Sequence, residues 1–175
     1  MGDEFHEVLR GLLSSVGDET DPGRVEDDGH LRYQLYKQIV DAWDGRGELL
    51  LLVESISTDP DPVMAGAAAT DVVDAVARAC LSSGEFEDWV SEYSGFIAKF
   101  DFARKRSEEW FLYRRVLGGE SGAIDEALAG TDWLQKRIAA ECDLIDVLER
   151  LSEEGRTKRI RSSAAQRLVG LRSKG

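Results

Sequence analysis

The stretch from Asp59 to Val73 constrains the fold of this chain more than any other. Asp61 can accept hydrogen bonds from the free N–H groups of a first helical turn, and Pro62 suits the first helical position. Small or apolar side chains then recur every four residues, at Met64, Ala68, Val72 and Val76. This spacing predicts a helix with a narrow face of small residues that packs closely against another helix.

The same spacing returns near the C-terminus at Ile160, Ala164 and Leu168. Each of the two stretches follows another apolar helical segment and a short polar turn. No part of the sequence alternates polar and apolar residues over the length that a half-buried strand needs. The sequence therefore predicts an all-α fold built from antiparallel helical hairpins.

The two hairpins, roughly 45–82 and 143–171, resemble HEAT repeats in specific residues. Asp61-Pro62 matches the Asp-Pro that this family often has in its turn, and Ile160-Arg161 matches its Val-Arg helix start. Ala65 stands where the family often has arginine, and the second turn lacks Asp-Pro. The resemblance implies a short HEAT-like α-solenoid with an extended concave surface and a protein-binding role.

The length of 175 residues fits one domain with enough chain for a proper core. Within that single domain, residues 1–16 read as an N-terminal amphipathic helix and 17–29 as an acidic loop. Residues 31–173 read as helical hairpins that end in a basic C-terminal helix.

Nine of the fourteen aromatic residues lie between Phe86 and Tyr113. Five of them follow helical spacing, at Phe86, Trp89, Tyr93, Phe96 and Phe100. Such a stripe is typical of a buried core, and a ligand-stacking groove is the alternative. Ser82 and Glu85 precede the stripe at the spacing of a capping box, which predicts a helix start there. The continuation from Phe96 to Leu117 is predicted to be the longest helix.

The net charge of −12 is unevenly distributed along the chain. The segment 155–175 has seven basic residues and no acid, so residues 1–154 carry 15 basic against 34 acidic groups, a net of −19. An acidic body repels phosphate backbones and attracts a basic protein. The charge therefore argues against general nucleic-acid binding and predicts a protein partner with a basic surface.

The sequence contains no catalytic, cofactor-binding or metal-binding signature that we can recognise. Two cysteines, Cys80 and Cys142, and two histidines, His6 and His30, are not at the spacing of metal ligands. The glycines fit helix ends rather than a phosphate-binding loop. We therefore expect no catalytic residue, no cofactor and no metal.

Two features of the sequence bear on location. The longest unbroken apolar run, Leu49–Val53, is far too short to cross a bilayer, so no membrane contact is expected. The first residues are acidic and lack the basic-then-apolar order of a signal peptide. The sequence predicts a cytoplasmic protein.

Together these features predict a non-catalytic protein-binding scaffold or inhibitor, and in its sharper form an immunity or antitoxin-like protein that captures a basic partner. Candidate partner-binding residues are Asp18, Glu19, Asp27 and Asp28 in the acidic loop and Arg156, Arg159 and Arg161 near the C-terminus. Acids of the preceding segment, Glu149, Glu153 or Glu154, are expected to pair with those basic residues. Two alternatives stay open: a HEAT-like enzyme of the glycosylase type, and a nucleic-acid contact made by the basic C-terminal helix.

Overall fold

The computed structural model describes residues 2–15, 21–45, 49–80 and 82–173. These residues form twelve α-helices and, within the same ranges, no β-strand, which confirms the all-α class. Contacts divide the chain into two compact units, residues 1–107 and 108–175. Each unit is described by itself below, and the expectation of a single domain stays a prediction.

The described residues of the first unit form seven complete helices and the start of an eighth. They are α1 (Gly2–Ser15), α2 (Pro22–Asp27), α3 (Gly29–Ala42), α4 (Leu50–Thr58), α5 (Pro62–Ala79), α6 (Ser83–Glu92), α7 (Ser94–Ala98) and α8 (Asp101–Leu117), of which α8 continues into the second unit. The second unit adds α9 (Ala123–Ala129), α10 (Asp132–Glu141), α11 (Ile145–Glu154) and α12 (Lys158–Arg172).

Helix α5 lies at the centre of the first unit, where it contacts both α3 and α4. Of its predicted stripe, Ala68, Val72 and Val76 are buried and Met64 is half-buried. The buried face also includes Ala65, Gly66, Ala69 and Val73, which the four-residue spacing did not predict. Ala68 is only 1 % exposed, whereas the neighbouring Ala67 faces solvent. Because these side chains are short, other helices can approach the α5 backbone closely.

Two predicted helix starts are confirmed at the level of individual hydrogen bonds. Asp61 accepts the backbone N–H groups of Val63 and Met64 at 2.9 and 3.1 Å. Ser82 and Glu85 form both halves of the capping box, with the Ser82 N–H donating to Glu85 and the Glu85 N–H donating to Ser82. These caps satisfy N–H groups that the first helical turn leaves free.

The acidic loop predicted over 17–29 is wrong for residues 22–27, which form helix α2. Asp21 accepts the Gly23 N–H at 3.1 Å and Pro22 occupies the first turn, the same start signal as Asp61-Pro62. Val25 is buried and anchors the short helix in the core. The continuous helix predicted from Phe96 to Leu117 is also wrong, because α7 ends at Ala98 and α8 begins at Asp101.

In the second unit, α12 packs against both α10 and α11. Its predicted stripe of Ile160, Ala164 and Leu168 is buried, opposite an apolar core that α10 and α11 supply. Among the described residues, no helix is both long and apolar enough to cross a membrane.

Candidate functional site

The two units differ sharply in charge. Residues 1–107 carry 22 acidic against 10 basic side chains, a net of −12, whereas residues 108–175 carry 12 of each, a net of zero. The first unit therefore accounts for the whole net charge of the protein. A net charge of this size attracts basic molecules over long range, whereas the second unit carries no net charge.

Helix α6 is the most acidic helix of the first unit. Its ten residues include four acids and no base. Glu85 is used in the capping box, while Glu87, Asp88 and Glu92 are exposed. Within the described part of the chain, these three carboxylates have no ion-pair partner.

Three aromatic rings stack along α6 and its C-terminal cap, Tyr93. Phe86 is fully buried and anchors α6. Trp89 stacks between its neighbours, with ring centroids 6.3 Å from Phe86 and 5.1 Å from Tyr93. Trp89 and Tyr93 are both half-buried, so each ring keeps part of its surface accessible. The prediction of an aromatic core is therefore confirmed for Phe86 but not for these two rings.

Helical spacing brings two of the carboxylates close to the two half-buried rings. Asp88 and Glu92 are one turn apart on α6, and Trp89 is one turn before Tyr93, the residue that follows the helix as its C-cap. We term the surface made by Asp88, Trp89, Glu92 and Tyr93 the α6 face; Glu87 lies on another side of the helix. Carboxylates beside accessible ring faces suit Lys and Arg side chains, which form ion pairs with the first and cation–π contacts with the second.

Four acidic residues with numbers between 18 and 28 are predicted to bind a partner. Asp18 and Glu19 are outside the described residues. Asp28 caps α3, where its carboxylate accepts the N–H groups of His30 and Leu31 at 2.9 and 3.3 Å. Asp27 is exposed at the end of α2. Both described candidates are therefore exposed, and Asp28 also has a structural role as the cap of α3.

The predicted basic candidates flank the turn before α12. Arg156 donates to the Gly130 carbonyl at 3.2 Å and pairs with Asp132 at 3.2 Å. Arg161 donates to the Gly155 carbonyl at 2.6 Å and so closes the turn. Arg159 is exposed. Two of the three arginines therefore stabilise the second unit.

The acids expected to neutralise these arginines pair differently. Glu154 pairs with Arg150 of its own helix, one turn earlier, and Glu149 pairs with Arg172. The expected pairing is therefore wrong for both residues. Neighbours at i and i+4 on one helix meet without any tertiary constraint, which favours the Arg150–Glu154 pair.

A buried ion pair holds the turn between α4 and α5. The Arg32 guanidinium donates to both oxygens of Asp59, at 2.8 and 3.1 Å, and the Tyr36 hydroxyl donates to the same carboxylate at 2.9 Å. The side chains of Arg32 and Asp59 are 4 % and 0 % exposed. Burial and the nearby Asp59 charge both raise the pKa of Tyr36 above its ordinary value. This network fixes the fold beside α5 and has no access to solvent for chemistry.

No family model, no curated protein and no solved structure matches this chain. Among the described residues, no group of three His, Cys, Asp or Glu side chains is placed to hold a metal ion. The basic residues of α8 that a glycosylase-like groove would use are partly paired: Arg104 with Asp101, and Arg115 with Glu120 and Glu126. We therefore take the α6 face, with its exposed carboxylates and half-buried rings, as the candidate binding surface.

Proposed function

We propose that the protein is a non-catalytic adaptor or inhibitor that captures a basic protein partner through the α6 face. The observation that carries this proposal is the combination of two exposed carboxylates, Asp88 and Glu92, with two stacked, half-buried rings, of which Trp89 lies on α6 and Tyr93 caps its C-terminal end. A HEAT-like arrangement of helical hairpins and a cytoplasmic location belong to the same proposal.

The distribution of charge supports an electrostatically steered encounter. A net charge of −12 confined to the first unit raises the association rate of a basic partner at low salt. The rings then supply the contacts that hold the complex, because Trp and Tyr are the residues that most often dominate binding energy. An immunity or antitoxin-like protein that covers a basic toxin would use both features.

A nucleic-acid contact by α12 is the competing function, and the local contacts weigh against it. Arg156, Arg161, Arg167 and Arg172 each bind protein groups, which leaves Lys158 and Arg159 as the basic residues of α12, among those that the structure describes, without such a contact. Two such cations release few counterions from a phosphate backbone and so add little affinity.

The test is affinity capture from the native cell with the full chain, followed by kinetics on the main captured protein. The variant Asp88→Lys/Glu92→Lys should slow association by about tenfold or more at low salt, because it changes the local charge by four units. Trp89→Ala should mainly speed dissociation. The matched control is Glu153→Lys, an equally exposed acid on α11 of the second unit, which should leave both rates unchanged.

Loss of binding in the Glu153→Lys control, or equal binding by the control and both α6 variants, would reject the α6 face as the interface. Capture of RNA or DNA in place of a protein, abolished by Lys158→Ala/Arg159→Ala, would assign the function to α12.

A further inference from the structure

Three aromatic rings surround the guanidinium of Arg137 in the second unit. Its Cζ atom lies 4.1 Å from the ring centroid of Trp110, 5.3 Å from Tyr113 and 5.8 Å from Trp133. The rings of Tyr113 and Trp133 are inclined by 89° and 66° to that of Trp110. We term these three residues the aromatic cage. A cation within about 6 Å of an aromatic face is attracted by the ring quadrupole, and this cage offers three such faces.

A carboxylate closes the cage. Glu141 accepts a hydrogen bond from Arg137 at 3.2 Å and another from the Tyr113 hydroxyl at 2.6 Å. The Glu141 side chain is 46 % exposed and that of Arg137 is 18 % exposed. Solvent therefore reaches the cage beside the carboxylate, although Trp110 and Tyr113 themselves are buried.

Glu141 does not satisfy every N–H group of the guanidinium. The Nε atom of Arg137 is buried, and no acceptor among the described residues reaches it. Burying an N–H group without an acceptor is unfavourable, so a guanidinium leaves part of its hydrogen-bonding capacity unused here. A quaternary ammonium group has no N–H at all. Its burial in the cage would leave no N–H group without an acceptor, and its methyl groups would pack against the ring faces.

We propose that the aromatic cage is a binding site for a quaternary ammonium group, which takes the place of Arg137. The ligand is either a small choline-like molecule or the trimethylated ammonium of a modified lysine side chain. When Arg137 leaves the cage, water hydrates its Nε–H, and Glu141 becomes the counter-ion of the ligand. This site is independent of the α6 face, because it uses only residues of the second unit.

Arg137 competes with the ligand for the cage. The apparent affinity of the intact protein for the ligand is therefore its intrinsic affinity multiplied by the fraction of molecules whose cage is empty. Arg137→Ala removes the internal competitor, so we expect it to bind choline chloride at least about tenfold more tightly than the unmodified protein does. Lys136→Ala is the matched control, because Lys136 is the exposed neighbour on the same helix and should leave the affinity unchanged.

Binding is measured by titration calorimetry and by the NMR signal of the choline N-methyl protons. Ring currents should move that signal upfield with Arg137→Ala, and Arg137→Ala/Trp133→Ala should abolish the shift. A folded Arg137→Ala variant that binds choline no better than Lys136→Ala would overturn the proposal. Should Arg137→Ala fail to fold, the unmodified protein at high choline decides: an upfield shift that Trp133→Ala removes supports the site, and no shift rejects it.

Two peptides distinguish the sources of the ligand and test its chemistry. A trimethyl-lysine peptide that binds at least about tenfold more tightly than choline would identify a modified protein segment, and equal affinities would identify a small molecule. The same peptide with unmethylated lysine should bind more weakly, because Glu141 cannot accept hydrogen bonds from all three N–H groups of its ammonium, and burial removes the water that would hydrate the rest. Equal binding of the methylated and unmethylated peptides would contradict the assignment to quaternary ammonium.

Discussion

Replacing Asp59 with alanine tests the buried network that holds the turn between α4 and α5. The carboxylate accepts four hydrogen bonds: two from Arg32, one from Tyr36 and one from the backbone N–H of Asp61 at 2.7 Å. Asp59→Ala removes all four acceptor contacts at once. It also leaves a guanidinium with a 4 % exposed side chain without its counter-ion.

The expected loss follows from burial. Removing one partner of a buried ion pair costs about 3–5 kcal/mol, because the remaining charge stays in the interior uncompensated. Arg32 also donates to the carbonyls of Val25 and Glu26, so it keeps some partners and cannot leave without releasing α2. We therefore expect Asp59→Ala to reduce the free energy of unfolding of the first unit by about 3–5 kcal/mol.

Urea unfolding, followed by circular dichroism and tryptophan fluorescence, measures the loss. The matched control is Asp41→Ala, which removes the exposed Lys37–Asp41 pair at 3.0 Å in the same unit and should cost at most about 0.5 kcal/mol. In an Arg32→Met background, Asp59→Ala should cost less, since no buried charge is left behind. Equal losses for Asp59→Ala and Asp41→Ala would refute the reasoning.

Three further outcomes follow from burial and charge. Ala68→Leu should overpack α5 and lower the free energy of unfolding by about 1–3 kcal/mol, whereas Ala67→Leu on its exposed side should change it little; equal melting temperatures would contradict the packing. Cys142 is fully buried, and burial raises the pKa of its thiol. A thiol reagent should therefore label the half-buried Cys80 before Cys142 in the native protein, and labelling of both at the same rate would contradict this. Burial and the hydrogen bond to Glu141 raise the pKa of Tyr113 above its ordinary value of 10.0. The protonated Tyr113 hydroxyl therefore contributes its full share to the free energy of unfolding below pH 10, and this share is lost as the pH rises beyond 10. Tyr113→Phe should therefore reduce the loss of stability in alkali, and an unchanged alkaline unfolding curve would refute this.

Local sequence signals determined the helices and their inner faces. The caps at Asp61 and at Ser82 act within three residues, and the four-residue spacing that buries Ala68 acts within one helix. Such signals are readable without knowing the fold, because capping and helical periodicity depend only on near neighbours. The helix from Pro22 to Asp27 carried the same kind of start signal, although its acidic composition favours a loop.

Tertiary structure decided which charged side chains form buried pairs, which close turns and which stay exposed. Arg32 meets Asp59 from 27 residues away, and Arg137 meets Trp110 across two helices. Helical spacing indicates that an aromatic residue faces inward, but not which cation reaches its ring or whether a carboxylate closes the site. The same limit applies to the basic C-terminal segment, where charge alone cannot separate Arg161, which closes a turn, from the exposed Arg159. Helix formation is fixed by neighbours along the chain, whereas the pairing of charges is fixed by which helices pack together.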